Sequence, residues 1–477
     1  MPLSAEIAIL AHATRRMKTF TSCIRASSSA ALVVENMDQG SAFLNMNEKT
    51  QLSRNTQGRP RLAALRKTLK NDTIVVSTSS AQKSGLVINQ HQATDNTKGC
   101  GSSSYSSTQM TPEDNLATII RIIEDLKKEK QREESSYQNK FNSSPAMLTD
   151  KFGRYHTYLR ISLTERCNLR CQYCMPPEGV PLQPKQSLLD SNEVLQLVNL
   201  FASKGVNKIR LTGGEPLLRH DIVPLIRQIS SCHPDMQSVG ITTNGLTLSR
   251  KLQDLIDAGL THVNISLDTL QENKFLEITR RKGLSMVMEA IEKAANMLPS
   301  GRVKVNCVVM KGFNDNELKD FVRLAKHLPV DIRFIEWMPF NDNGWNANRF
   351  FSYADMLKCI QDEQNLERAI DSPNDTTKWY TIDGYQGRVG FITSMSDHFC
   401  GTCNRLRITA DGQLKVCLFG SDEVSLRDAI RAGIPDSDLE LLVEASIKRK
   451  KYALGGHGDM HGIKEANSNR PMTLIGG

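Results

Sequence analysis

The 477-residue sequence contains no run of about eighteen apolar residues, the length a helix needs to cross a bilayer, so no membrane span is expected. It has no stripe in which basic residues alternate with aromatic ones, and its net charge of +8 is modest. That balance suits anionic small ligands and argues against a nucleic-acid partner. Nor do its cysteines suggest a disulfide framework. Cys23, Cys100, Cys232, Cys307 and Cys359 are scattered, as expected of free thiols in a reducing compartment. The other six lack a fourth partner. Cys167, Cys171 and Cys174 stand together in RCNLRCQYCMPP, and Cys400, Cys403 and Cys417 in FCGTCNRLRITADGQLKVCLFG. A cluster that only passes electrons is normally closed by four thiolates. Three thiolates leave one iron of a four-iron cluster open, and an open iron can bind a small molecule. Zinc is the competing reading, because a C-x2-C pair is also a zinc-knuckle spacing. For the first set it would need a histidine, and His156 and His220 lie in no familiar register. For the second, His398 could complete a ribbon.

The chain is long enough for more than one domain. Residues 1–34 carry Arg15, Arg16, Lys18 and Arg25 against one acid, Glu6, together with several serines; this composition predicts a mitochondrial transit peptide. Residues 35–149 are rich in Ser, Thr, Asn, Gln and Gly and too polar to fold alone. One helix is expected inside them, over 112–134. Thr111 is placed to cap it, Pro112 suits its first position, and Leu116, Ile119, Ile120, Ile123 and Leu126 recur at helical spacing. A main domain is expected over 150–372 and a C-terminal domain over 373–477.

From Thr157 the pattern repeats: a short apolar strand, an unusual tip, an amphipathic helix. The strands are YLRISL, KIRLT, SVGIT, HVNISL, VKVNCVV and DIRFIE, and helical stretches such as SNEVLQLVNLFASKG lie between them. Strands alternating with helices imply a parallel sheet, and six units imply an open, shortened relative of the eight-stranded α/β barrel. Ligands of such barrels bind where strands end. The tips agree: Cys167 to Cys174, Gly213-Gly214-Glu215-Pro216, Thr242-Thr243-Asn244-Gly245, Ser266-Leu267-Asp268 and Trp337-Met338-Pro339.

Basic residues inside these strands are more telling. Lys208 and Arg210, two apart, share a face, and Arg160, Lys304 and Arg333 interrupt apolar strands in the same way. A strand buried on both sides should read as nearly continuous Val, Ile and Leu, and an unpaired charge there costs several kcal/mol. Only Glu215, Asp268 and Glu336 are evident as neighbouring acids, too few for internal pairing, so a polyanion such as a triphosphate is expected in the lumen. Beyond the second cysteine set, Arg405 and Arg407 flank Leu406. If Leu406 faces the core, both guanidinium forks face the other way, beside the cluster, suited to phosphate or the acceptor edge of guanine.

C-x3-C-x2-C with Tyr173 before its last cysteine, RLTGGEP, TTNG, FIEWMP, CGTCNRLR with a cysteine fourteen residues on, and a Gly476-Gly477 end occur together. From about Phe152 to Gly477 the sequence thereby resembles the GTP 3′,8-cyclase family of the radical S-adenosylmethionine superfamily, in its eukaryotic mitochondrial form. The resemblance implies an open six-stranded partial TIM-type (β/α)6 barrel, with a C-terminal α+β extension that closes it and carries the second cluster. It implies two [4Fe-4S] clusters, one on Cys167, Cys171 and Cys174 and one on Cys400, Cys403 and Cys417. It implies that Tyr173, Gly214, Ser266 and Met338 contact S-adenosylmethionine, that Arg160, Arg210, Thr242, Lys304, Arg405, Leu406 and Arg407 contact GTP, and that Arg405 and Arg407 have catalytic roles. The implied chemistry is reductive cleavage of S-adenosylmethionine to a 5′-deoxyadenosyl radical, removal of the ribose 3′ hydrogen of GTP, and closure onto C8 of guanine. The implied partners are an electron donor, the next enzyme, cyclic pyranopterin monophosphate synthase, and a second copy of the chain. The implied place is the mitochondrial matrix. Two other readings of the residues are a radical enzyme acting on a peptide side chain and a non-catalytic zinc-ribbon binding protein.

Overall fold

All six strands legible in the sequence form, and each pairs in parallel with the next: β1 Tyr158–Ser162, β2 Lys208–Thr212, β3 Ser238–Thr243, β4 His262–Ser266, β5 Val303–Val309 and β6 Asp331–Glu336. This computed structural model describes residues 112–136, 147–341, 343–466 and 470–476. The expected transit peptide, Thr111, Cys23, Cys100, most of the polar segment and Gly477 lie outside the described residues.

The helix expected over 112–134 is α1, Pro112–Ser136. Its Ile119, Ile122 and Ile123 pack with Leu200, Ala429, Leu439 and Leu442, and Lys127 pairs with Asp438 at 2.7 Å. Six helices fill the crossovers between strands: α2 Ser191–Ala202, α3 Ile222–Ser230, α4 Leu248–Asp257, α5 Glu272–Thr279, α6 Leu284–Met297 and α7 Leu318–His327. α2 begins at a capping box between Asp190 and Glu193 and buries Val194, Leu197, Val198 and Phe201. One main core lies between these helices and the outer face of the sheet, with Leu159, Ile161, Ile209, Leu211, Ile241, Val263, Val305 and Ile332 contributed by the strands. β5 shows the division of faces. Val303, Val305, Cys307 and Val309 are buried on one side, and Lys304, Asn306 and Val308 alternate on the other.

The chain beyond β6 continues the same sheet at both edges. It adds α8 Tyr353–Gln361, β7 Glu367–Arg368, β8 Thr377–Thr381, β9 Val389–Ile392, β10 Arg405–Ile408, β11 Gln413–Lys415, β12 Val424–Ser425, α9 Leu426–Arg431, α10 Asp436–Lys448, α11 Met460–Ala466 and α12 Met472–Ile475. The strand order is β12-β11-β10-β1-β2-β3-β4-β5-β6-β9-β8-β7. β9 runs parallel to β6, and β10 runs parallel to β1. The barrel is therefore open by hydrogen bonding, and its closure is made by side chains. Phe340, after β6, stacks on Phe419, after β11, with ring centroids 5.7 Å apart, and Met395, Leu454, Ile463 and Ile475 join them.

Candidate active site

The pairing of β10 with β1 builds the interior from rungs of residues in register. Arg405, Tyr158, Lys208 and Ser238 form one rung, and Arg407, Arg160, Arg210, Gly240 and His262 the next. Thr242, Asn264, Lys304 and Asp331 form another, and Asn306 pairs with Arg333. Because successive side chains alternate across a strand, residues two apart point the same way. Their shared face lines a cavity of about 600 Å³ whose walls include Arg160, Lys208, Arg210, Thr242, Lys304, Arg333, Met338, Arg405, Arg407 and Gly476. Leu406, between the two arginines, is fully buried in the main core on the opposite face. Only its backbone is left to meet a ligand in the cavity.

Direction along this strand pair separates the two cysteine sets. Cys167 to Cys174 follow the C-terminal end of β1, whereas Cys400 and Cys403 precede the N-terminal end of β10 and Cys417 follows the returning β11. The two sets thus stand toward opposite ends of the same strands, with the arginine rungs between. Cys400, Cys403 and Cys417 all line the cavity; the first set does not. The loop of the first set packs tightly. Gly214 N donates to Thr164 O at 2.7 Å, and a Cβ on Gly214 would lie 2.4 Å from Arg166 O. Asn244, from the TTNG tip, donates to Asn168 Oδ1 at 2.7 Å. Tyr173 donates to Asp268 Oδ2 at 2.6 Å, Ser266 ends β4, and burial lifts the Asp268 carboxyl to about 6.

Electrostatics in the lumen are dominated by crowded positive charge. Burial, and then the charges of neighbouring arginines, pull Arg160 down to about 9 despite the nearby Tyr158; burial and Arg210 pull Arg333 down to about 10. Against the upward push of burial, Arg210, Arg160 and Lys208 lower the Tyr158 phenol to about 7, and Arg210 Nε donates to its oxygen at 3.2 Å. Burial and Arg333 lower Lys304 to about 7. The expectation that acids are too few holds for the three named above and fails for a fourth. Glu215 accepts from Leu217 N, Asn244 N and Thr243 Oγ1; Glu336 accepts from Tyr353 N, Met395 N and Ser396 N; Asp268 is engaged by Tyr173. Asp331, which opens β6, stands 3.7 Å from Lys304 and 2.7 Å from Arg388, so Lys304 is not an unpaired charge. Among the buried side-chain atoms without a hydrogen-bond partner are Arg405 Nη1, Arg407 Nε and Thr242 Oγ1, in residues that line the cavity. Unpartnered buried polar atoms in cavity-lining residues call for an explanation, and a bound polar group is one.

Each set offers three free thiols, the donor type that iron–sulfur clusters take. Among the described residues no three His, Cys, Asp or Glu side chains stand close enough to hold one ion; a four-iron cluster puts each thiolate on its own iron and asks for wider spacing. Burial and the neighbouring Cys167 raise Cys174 to about 12. Cys403 differs. Lys450 and Arg405 overcome its burial and bring it down to about 6. Sequence reasoning missed Lys450 altogether, and it weighed His156 only as a zinc ligand. Both lie in the shell around the second set: His156 Nε2 is 2.8 Å from Lys450 Nζ, which reaches Cys403 Sγ at 3.4 Å. No motif marks them, since they come from a pre-barrel turn and the end of α10.

Strand-end cysteines, a glycine-tight loop beside them and a cation-lined half-barrel are the features of a radical S-adenosylmethionine protein, and residues 161–325 match the Radical SAM superfamily. Residues 330–455 match the family Molybdenum Cofactor Synthesis C. The chain is 55% identical over 331 residues to "Molybdenum cofactor biosynthesis protein 1" of Bos taurus, covering 69% of this chain and 51% of that one. It is 53% identical to "GTP 3′,8-cyclase, mitochondrial" of Arabidopsis thaliana, over 71% of this chain and 86% of that one. It is 40% identical to "GTP 3′,8-cyclase" of Alkaliphilus metalliredigens, over 69% of this chain and 100% of that one. The chain spans about half the length of the animal relatives it matches. It belongs to the GTP 3′,8-cyclase family of radical S-adenosylmethionine enzymes, whose chemistry depends on a [4Fe-4S] cluster and S-adenosylmethionine.

Proposed function

We propose that this chain converts GTP to 3′,8-cyclo-7,8-dihydro-GTP, the first step of molybdenum cofactor biosynthesis, in the mitochondrial matrix. The observation that carries the reading is the row Arg407, Arg160 and Arg210, three guanidinium side chains in register on adjacent strands beside the second cysteine set. A peptide substrate would not call for that charge.

Cys167, Cys171 and Cys174 hold the first [4Fe-4S] cluster, and Tyr173, Gly214, Ser266 and Met338 contact S-adenosylmethionine. Cys400, Cys403 and Cys417 hold the second cluster. When bound, the first cluster and S-adenosylmethionine would supply radical chemistry through one-electron reduction. The remaining work falls to the protein's side chains. Arg160, Arg210 and Lys304 clamp the triphosphate, with Lys208 and Arg333 adding charge around it. Arg405 and Arg407, which line the cavity and each keep one donor without a partner, fix the guanine end toward the second cysteine set. Leu406 contributes backbone only, and Thr242 offers its hydroxyl to a polar group of the substrate. Holding the nucleotide at both ends lowers the entropy cost of bringing ribose and base together. The Phe340–Phe419 closure and the tail at Gly476 keep water and oxygen from the interior. The partners are an electron donor, the next enzyme of the pathway, cyclic pyranopterin monophosphate synthase, and a second copy of the chain.

The test is anaerobic incubation of reconstituted protein with GTP, S-adenosylmethionine and reductant. Formation of 5′-deoxyadenosine together with a cyclised guanine nucleotide supports the proposal. Unchanged 5′-deoxyadenosine formation in an Arg405→Ala/Arg407→Ala protein, with no nucleotide product in either protein, would favour a peptide substrate; colourless protein holding zinc would favour the ribbon.

A further inference from the structure

Lys450 is 2% exposed and lies in none of the motifs around the cysteines. Each of its three N–H bonds has an acceptor in reach: His156 Nε2 at 2.8 Å, Arg405 O at 3.2 Å and Cys403 Sγ at 3.4 Å. The imidazole of His156 is fully buried, and its Nδ1 lies 2.8 Å from Leu148 O. A carbonyl can only accept, so Nδ1 carries the proton and Nε2 offers its lone pair to the ammonium. Burial, and then the Lys450 charge, hold His156 neutral, with its pKa near 4. The turn that carries His156 is anchored to the same region a second time. Arg154, paired with Asp150 at 2.6 Å, donates to Cys400 O at 2.6 Å and Tyr452 O at 2.7 Å.

A buried ammonium is costly unless it meets a negative partner. Of the three groups it touches, a neutral imidazole and a carbonyl cannot supply that charge, whereas a ligating thiolate can. We infer that Lys450, oriented by His156, donates a charge-assisted hydrogen bond to the Cys403 sulfur and raises the reduction potential of the cluster on the second cysteine set. The inference rests on the proposal that this set holds a cluster. Hydrogen bonds to cluster sulfurs and nearby positive charge favour the more negative, reduced state. Lys450 is thus a positioning residue acting through Cys403, and it reaches no substrate itself.

The experiment uses the full chain with Cys167, Cys171 and Cys174 changed to alanine, so that only the second cluster titrates. After anaerobic reconstitution, iron is counted and the midpoint is followed by electron paramagnetic resonance. The expected result is about four irons per chain in the parent and in Lys450→Met, with the midpoint of Lys450→Met displaced to more negative potential. His156→Phe should move it the same way by less. Lys450→Met should leave the midpoint of the first cluster unmoved in a Cys400/Cys403/Cys417 alanine background. An iron-loaded Lys450→Met protein titrating at the parent midpoint would overturn the inference. A second measurement needs no change at Lys450: with 15N-lysine, the reduced second cluster should show an exchangeable proton and a 15N coupling, and their absence overturns it equally. A parent chain that holds no iron would instead sink the cluster proposal beneath it.

Discussion

Gly240 and Arg210 are partners on neighbouring strands, and a Cβ added at position 240 would lie 2.7 Å from the Arg210 guanidinium carbon. The glycine is there to leave room for the arginine. Arg210 is 4% exposed and lines the cavity, with Nε committed to Tyr158 and Nη1 to Ile241 O at 3.2 Å. Gly240→Ala should therefore spare the fold, because the far end of an arginine can yield, while turning that guanidinium off its target. The expected outcome is a melting temperature near that of the parent protein and GTP binding weakened about tenfold or more, as for a lost hydrogen bond to a charged group. Equal affinity by calorimetry would show that Arg210 does not hold the nucleotide.

Arg407 and Arg160 stand side by side across the β10–β1 pair. Without a polyanion they repel, so removing one costs binding more than stability. Arg407→Ala should lower GTP affinity about 10- to 100-fold, equivalent to about 1.5–3 kcal/mol, and reduce its dependence on salt. Arg407→Lys should recover only part of this, since an ammonium cannot present the planar fork. Titration at two ionic strengths checks both statements.

Protonation in the lumen should respond to the ligand. Tyr158 faces Arg405 on β10, Lys208 and Arg210 on β2, and Arg160 on its own strand, and its phenol titrates near 7. A folded-state value below the unfolded value of about 10 means that the ionised phenol stabilises the free protein. That contribution is fully present above about pH 10 and is lost as pH falls through about 7. The melting temperature of the parent protein relative to Tyr158→Phe should accordingly rise from pH 7 to pH 9. GTP brings its own negative charge, which favours the neutral phenol and also re-protonates Lys304, whose value is near 7 with Asp331 and Arg333 facing it. Binding above pH 7 should take up protons, as read by calorimetry in buffers of different ionisation enthalpy. Tyr158→Phe and Lys304→Met should each reduce that uptake.

The tail should matter for turnover more than for binding. Gly476 has φ +75°, and a Cβ there would lie 2.2 Å from Thr212 Oγ1 and 3.1 Å from the Ser162 Cβ. Gly476→Ala must push the tail away from the ends of β1 and β2. Turnover is expected to fall about a hundredfold, the scale of a misplacement of about 1 Å near reacting groups, with GTP affinity changed little. Comparable losses in both would place the tail among the binding groups instead.

Much of the fold was legible because its signals are local. The six strands fell where alternation and β-branched residues put them, and α1 extends two residues past its expected end. The lumenal face was legible from Lys208 and Arg210 alone, since two-residue spacing on a strand fixes a shared side. Asp331 was passed over because it opens a strand, where a charge reads as an edge, although it reaches Lys304 across the β5–β6 pair. Tyr158 was passed over because an aromatic in a strand reads as core, and its ring instead lies under the Lys208 ammonium at 4.9 Å. Nothing in the sequence links Lys450 to His156, which stand 294 positions apart.

What the sequence determined by itself is chemical inventory and periodicity: two sets of three thiols, cations on one face of alternating strands, and glycines where backbones must touch. These follow from short-range rules of spacing and sterics. Tertiary structure alone decided that β10 lies against β1 and parallel to it, which sets Arg407 beside Arg160 and sends the two cysteine sets to opposite ends of one strand pair. The reason is that a strand's neighbour is chosen by burial of apolar faces and pairing of open sheet edges over hundreds of residues, and no local pattern encodes that choice.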